Sequence, residues 1–247
     1  MKIIISPAKK MNIDIDTYPH KNLPVFLDKT REILKFLKSL SHEELQKLWN
    51  CNDSIARQNI DRLRDMNLDS CLTPAIISYE GIQYQHMAPG VFSSEQLDYV
   101  CRHLRILSGF YGILKPFDGV TPYRLEMQSK AKIGGKKDLY DYWGDQIYQE
   151  LTAGDHVILN LASKEYSKCV ERFLRDDDTF VTCVFGEIVG EKVVQKGTLA
   201  KMARGEMVRY LAETDGKKPE DAKGFDRMGF EYPKELSSEK EYVFIKK

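Results

Sequence analysis

The sequence predicts a mixed α+β domain: one central mixed sheet surrounded by helices. Three observations point there. Lys2 to Ser6 carries three consecutive isoleucines, the pattern of a strand covered on both faces. The first third then reads as helix. Further on, short apolar strands alternate with amphipathic helices without a regular βαβ beat, which argues against a doubly wound sheet.

The elements follow in order. Residues 24–40 keep a helical period. Ser41-x-x-Glu44 is a capping box opening a helix through Trp49, and Asp53 is expected to cap a polar helix to about Met66. Ser93-x-x-Gln96 opens another, with Leu97, Val100, Cys101 and Leu104 as its apolar stripe, expected to end near Gly109. Thr121 to Met127 alternates, with Tyr123, Leu125 and Met127 opposite Arg124 and Glu126, so a half-exposed strand is expected. An aromatic, acidic helix from Leu139 to Leu151 follows. Val157 to Leu161 reads as a buried strand and Lys164 to Arg175 as a helix. Thr179 to Lys196 reads as two strands turning near Gly190. Thr198 to about Glu213 is the last long helix, and Tyr242 to Ile245 returns as a strand.

The chain has 247 residues, 42% hydrophobic and 30% charged. These are values for a globular protein, and one domain spanning 1–247 is expected. No apolar run approaches the roughly 20 residues of a membrane-spanning helix. Residues 1–6 are too short for a signal-peptide core. A cytoplasmic monomer with no membrane contact is expected. The 37 basic and 37 acidic residues cancel. A surface coated in positive charge is therefore excluded, but a local basic cleft is not. Charge is indeed clustered: 102–137 holds eight basic and two acidic residues, and 138–155 holds five acidic and no basic ones.

Cys51, Cys71, Cys101, Cys169 and Cys183 are dispersed and form no C-x-x-C, and the five histidines form no ligand pair. Neither a disulfide framework nor a metal site is indicated, and no cofactor is expected.

Six segments could carry chemistry. Ser6-Pro7-Ala8-Lys9-Lys10 follows a buried strand directly and could place Lys9 and Lys10 at a cleft. Tyr79-Glu80-Gly81 signals a turn. Leu107 to Leu114, with Gly109 and Gly112, has the general form of a helix-hairpin-helix whose glycines offer N–H groups to a DNA phosphate. Arg102, Arg105 and Lys115 flank it; the alternative is a helix cap followed by a tight turn. Arg124 and Glu126 share a face, so Glu126 could orient Arg124 toward a phosphate. Asn160 ends a buried strand, and Ser163 and Lys164 open the next helix, where free N–H groups favour an anion; the alternative is that Ser163 only caps its helix. In helix 198–213, Lys201, Gly205 and Val208 lie on one side with Arg204 and Arg209 flanking, and Glu206 falls on the apolar side and needs a buried partner.

Together these segments resemble the YaaA family of peroxide stress proteins. The matching pieces are Ser6-Pro7-Ala8-Lys9, Tyr79-Glu80-Gly81, Leu107 to Gly112, Pro122 to Met127, Asn160 to Ser163 with Glu165-Tyr166, and Ala203-Arg204-Gly205 with Arg209-Tyr210. They occur in the family's order across most of the chain. The resemblance implies a cytosolic protein of the hydrogen peroxide response that limits iron-driven damage and is linked to DNA repair. It further implies duplex- or branched-DNA binding, a positively charged cleft and a helix-hairpin-helix, here Gly109 to Gly112. Phe110 and Phe117 stand where relatives tend to have leucine. No catalytic residue carries over.

The leading expectation is therefore DNA binding through phosphate contacts by the basic residues named above, with Glu126 and Asn160 orienting the cleft. The runner-up is an enzyme acting on a nucleotide or other phosphorylated small molecule in that cleft. A weaker reading is iron sequestration by carboxylates such as Glu80 and Glu126. Cleft shape separates the first two: a long open groove suits DNA, a closed pocket of a few hundred cubic ångströms a small molecule.

Overall fold

A computed structural model describes residues 1–247. In chain order, β1 (Lys2–Ile5) and β2 (Lys10–Met11) lead into α1 (Leu27–Lys38), α2 (His42–Trp49) and α3 (Asp53–Asp65). Next come β3 (Thr73–Pro74), α4 (Ala75–Ser78), β4 (Tyr79–Glu80), α5 (Ile82–Met87) and α6 (Ser94–His103). Then β5 (Leu104–Ser108), β6 (Gly112–Leu114), β7 (Gly119–Val120), α7 (Leu139–Trp143), α8 (Gln146–Thr152), β8 (Val157–Asn160) and α9 (Lys164–Glu171) follow. The chain ends with β9 (Thr179–Val189), β10 (Lys192–Val194), α10 (Gly197–Thr214), β11 (Phe230–Glu231) and β12 (Glu241–Lys246).

The main sheet runs β11-β12-β9-β8-β1-β5-β6, with β10 paired to β9. Its five inner strands, β12, β9, β8, β1 and β5, are parallel. The outer pairs β5–β6 and β11–β12 are antiparallel, so the sheet is mixed, as expected. Ile3, Ile4 and Ile5 are fully buried at its centre. No helix is long and apolar enough to cross a membrane.

Strand order locates the crevice. The chain lays down β1, adds β5 on one side, then crosses back to place β8, β9 and β12 on the other. Successive right-handed crossovers from β1 therefore leave on opposite faces, and ligands of such sheets bind beyond the carboxyl ends at the reversal. That point is Ser6 and Ser163. The second half does carry a βαβ beat, β8–α9–β9 and β9–α10–β12, which the sequence reading missed. The β1–β5 connection spans residues 6–103 and hides the period.

Other elements also differ from expectation. Leu104 to Ser108 is a strand, not the end of a helix. Its apolar run suits either state, and parallel pairing with β1 decides it. The helix-hairpin-helix is thus a β-hairpin. Thr121 to Met127 keeps its burial alternation but forms no strand; Tyr123, Leu125 and Met127 are buried beneath the hairpin turn. The helix over 139–151 breaks at Gly144, where φ is +53°. Both capping boxes, at Ser41 and Ser93, are formed.

Candidate anion-binding cleft

A cleft of about 420 Å³ opens where the strand order reverses. Its floor is the β1–β8 junction. Ser6 Oγ accepts the Ser163 N–H at 2.8 Å and donates its proton to Ser163 Oγ at 3.2 Å. Asn160 is buried and shapes the same junction: its Oδ1 accepts the Ala162 N–H at 2.9 Å and its amide donates to Thr182 Oγ1 at 3.2 Å. Ser163 sits at the N-cap of α9, but its side chain makes no capping bond, so the simple cap reading fails. The first turn of α9 meets the cleft without a side-chain oxygen over it.

One wall comes from the Ser6–Lys10 loop and from α5, held together by tyrosines. Tyr84 donates to the Ser6 carbonyl at 3.0 Å. Tyr123 Oη lies 2.7 Å from Ser108 Oγ and 2.8 Å from Tyr79 Oη. Burial pushes the Tyr123 hydroxyl up to about 12 and lifts Tyr79 and Tyr84 well above the phenol range, so all three stay neutral. Gly81 is close-packed here; a Cβ on it would lie 3.1 Å from Ala8 Cβ.

The charges face each other inside. Arg124, with 11% of its side chain exposed, has one terminal nitrogen 3.5 Å from Glu126 Oε1. Lys9 Nζ is 3.0 Å from the same oxygen. Neither contact is aligned as a hydrogen bond, so buried Glu126 Oε1 is ion-paired but accepts no hydrogen bond, and buried Arg124 Nε donates none. From α10, Arg204 enters the cleft with no carboxylate within 4 Å and no protein hydrogen bond; its Nε is also buried and unpartnered. Burial lowers the pKa of this guanidinium from its ordinary value. Three of the five orphaned buried side-chain atoms in the protein thus lie in this cleft. Buried polar groups are normally paired, and a guanidinium paired by nothing awaits an anion. Glu165 completes the rim. Burial raises its pKa, its bond from the Gln128 N–H works the other way, and Glu126 adds to the rise.

Of the expected residues, the cleft gathers Lys9, Lys10, Arg124, Glu126, Ser163, Lys201 and Arg204. Lys10 is paired with Glu80 at 2.8 Å, while Lys201 is exposed and unpaired. The others lie elsewhere. Lys164 pairs with Glu171 and, with Asn160, borders a neighbouring cavity. Arg209 is held by Glu213 at 2.8 Å. Arg102 precedes β5 and so lies at the amino edge of the sheet, roughly 20 Å from the cleft at about 3.3 Å per residue. Arg105 donates to the Leu104 carbonyl at 2.7 Å, and Lys115 follows antiparallel β6 back to that edge.

Gly109 and Gly112 offer nothing to a phosphate. Both are buried; a Cβ on Gly109 would come 2.7 Å from the Leu125 carbonyl, and one on Gly112 2.9 Å from Trp143. The Phe110 and Tyr111 amides are capped by Ser108 Oγ. Gly205 likewise packs α10 onto α5, so no phosphate backbone approaches there. Glu206 finds its partners in His86 at 3.2 Å and Arg227 at 3.6 Å.

Sequence reasoning missed Tyr84, Tyr123 and Glu165 as cleft residues. The signals were the Tyr79-Glu80-Gly81 turn, which aims α5 at the Ser6 loop, and the family-matched pieces Pro122 to Met127 and Glu165-Tyr166, which hold Tyr123 and Glu165. For metal ligation, Glu80 and Glu126 are each occupied by a lysine. His156, Asp177 and Asp178 sit close together outside the cleft, but Asp178 is already engaged by Tyr148, His156 and the Arg175 N–H.

A family model described as peroxide stress protein YaaA matches residues 1–236. A relative from Lachnoclostridium phytofermentans is 57% identical over 246 residues, covering 100% of this chain and 96% of its own length. One from Agathobacter rectalis is 56% identical over 247 residues, covering 100% and 99%. One from Lactiplantibacillus plantarum is 47% identical over 245 residues, covering 99% of each. All three are described as UPF0246 proteins.

Proposed function

The chain belongs to the YaaA family of peroxide stress proteins, and we propose that it acts in that response by gripping a phosphorylated nucleoside unit in the cleft at Ser6 and Ser163. DNA is the source of that unit, and holding it is how the protein limits iron-driven damage to DNA. The single observation behind this reading is the pair of buried guanidiniums, Arg124 and Arg204, whose Nε atoms lack partners in one cleft. Arginine forks match phosphate oxygens, and the uncapped first turn of α9 adds an electropositive helix end.

A second reading has specific support. The cleft's 420 Å³ suits one nucleotide better than a duplex, and the basic residues once expected to extend it lie on another edge. A free nucleotide would use the same contacts. Titration separates the sources: a mononucleotide, a single-stranded oligonucleotide and a duplex are compared by thermal shift and fluorescence anisotropy. The lead reading expects DNA to bind and mononucleotide to compete with it. Mononucleotide binding without any DNA binding favours the free nucleotide. A protein that binds none of them removes both readings.

A further inference from the structure

Arg204 belongs to two cavities at once. Besides the cleft, it borders a second cavity of about 500 Å³ that runs beside α9 from the carboxyl end of β8 along the first half of β9. The first turn of α9 divides them: Ser163 faces the cleft and Lys164 the second cavity. Neighbouring Cα atoms are about 3.8 Å apart, so the two cavities adjoin. Each has an aromatic wall, Tyr123 and Tyr166 in the cleft and half-buried Phe180 in the second cavity. The second cavity also carries Lys240, which has no acidic partner within 4 Å, and Arg175.

We propose that the ligand is a single DNA strand of at least two nucleotides, laid across the first turn of α9. Its bridging phosphate rests on Arg204, one nucleoside lies in the cleft and the next lies against Phe180. This rests on the reading of the cleft as a site for a phosphorylated nucleoside unit and specifies its substrate. Unpaired cations flanked by aromatic walls are the means by which proteins hold single strands without reading sequence. Arg204 has no protein partner because its partner spans both cavities. A mononucleotide would fill only one of them and leave Phe180 and Lys240 unused.

The test is isothermal titration with thymidine 5′-monophosphate and with 5′-phosphorylated di- and trithymidylate. The dinucleotide is expected to bind at least tenfold tighter than the mononucleotide, about 1.4 kcal/mol. The trinucleotide should add less than the second unit did. Phe180→Ala and Lys240→Glu should each shrink the ratio of dinucleotide to mononucleotide affinity severalfold. Lys240→Glu alters an exposed side chain, so it reads out even where Phe180→Ala fails to fold. Equal affinities for one and two units, or an unchanged ratio in folded Lys240→Glu, would overturn the two-cavity strand while leaving the cleft reading intact. Failure of every thymidylate to bind would overturn both.

Discussion

The Ser6 hydroxyl accepts the Ser163 N–H at 2.8 Å and so ties together two loops that lie 157 residues apart in sequence. The bond closes the gap between β1 and β8 where the chain reverses direction across the sheet. The same hydroxyl donates to Ser163 Oγ at 3.2 Å, which holds that side chain off its own helix. The cleft and its uncapped helix end therefore depend on one hydroxyl.

Ser6→Ala leaves a part-buried N–H without its partner. Loss of such a bond costs about 1–2 kcal/mol. Urea unfolding should show this with an unchanged m-value, and ligand affinity should fall as well. Unchanged stability and affinity would mean the junction is held by the backbone alone.

Arg204→Met exchanges a buried, unpaired cation for an apolar chain of similar length. The account expects stability to rise by about 1–2 kcal/mol while phosphate-ligand binding falls. Thermal unfolding with and without ligand reads both. A destabilised variant would show Arg204 to be structural.

Gly205→Ala sets a methyl 2.1 Å from the Gln83 carbonyl, between α10 and α5. Backbone on both sides cannot yield, so overpacking should cost about 3 kcal/mol or more. Soluble yield and melting temperature test it. A tolerated alanine would mean the two helices slide freely.

Asp118 gives a pH signature away from the cleft. Burial pushes its carboxyl up to about 6, and its Oδ1 is unpartnered while Oδ2 accepts the Lys115 N–H. Its pKa is raised above an unfolded value of about 3.9, so its protonated form favours the folded state. That contribution is fully present below about pH 3.9 and is lost as pH rises through about 6, a change of about 3 kcal/mol at most. Asp118→Asn should therefore stabilise the protein at pH 7.5 by about 1–3 kcal/mol, with the gain vanishing toward pH 4. A gain independent of pH would contradict this.

Much of the layout is legible in sequence because local chemistry dictates it. Ile3 to Ile5 could only be a covered strand, and the Ser41 and Ser93 boxes start their helices where expected. The cleft residues were legible from local pattern: Lys9 and Ser163 follow well-marked strands, Arg124 falls on the less buried side of an alternating segment, and Arg204 sits within a long helix. The hairpin was not. Leu104 to Leu114 is mostly apolar, and only β1, a hundred residues earlier, turns it from helix to strand. Arg102, Arg105 and Lys115 were drawn into the site by proximity in sequence. They sit at the amino end of β5 and just past antiparallel β6, at the sheet edge opposite the cleft, and that placement is a tertiary fact. Tyr84 and Glu165 were hidden because nothing local marks a tyrosine hydroxyl that braces a distant loop or a carboxylate that rims a cleft.

The most direct test is DNA-oligonucleotide binding by fluorescence anisotropy over a salt series, using two sets of variants. One set alters the cleft, Arg124→Gln and Arg204→Gln. The other alters the opposite sheet edge, Arg102→Gln with Lys115→Gln. The account predicts that each cleft variant, folded by circular dichroism, weakens binding at least tenfold and flattens the salt dependence, while the edge variant matches wild type. Loss of binding in the edge variant, with both cleft variants unaffected, would contradict it and move the phosphate site to the other end of the sheet.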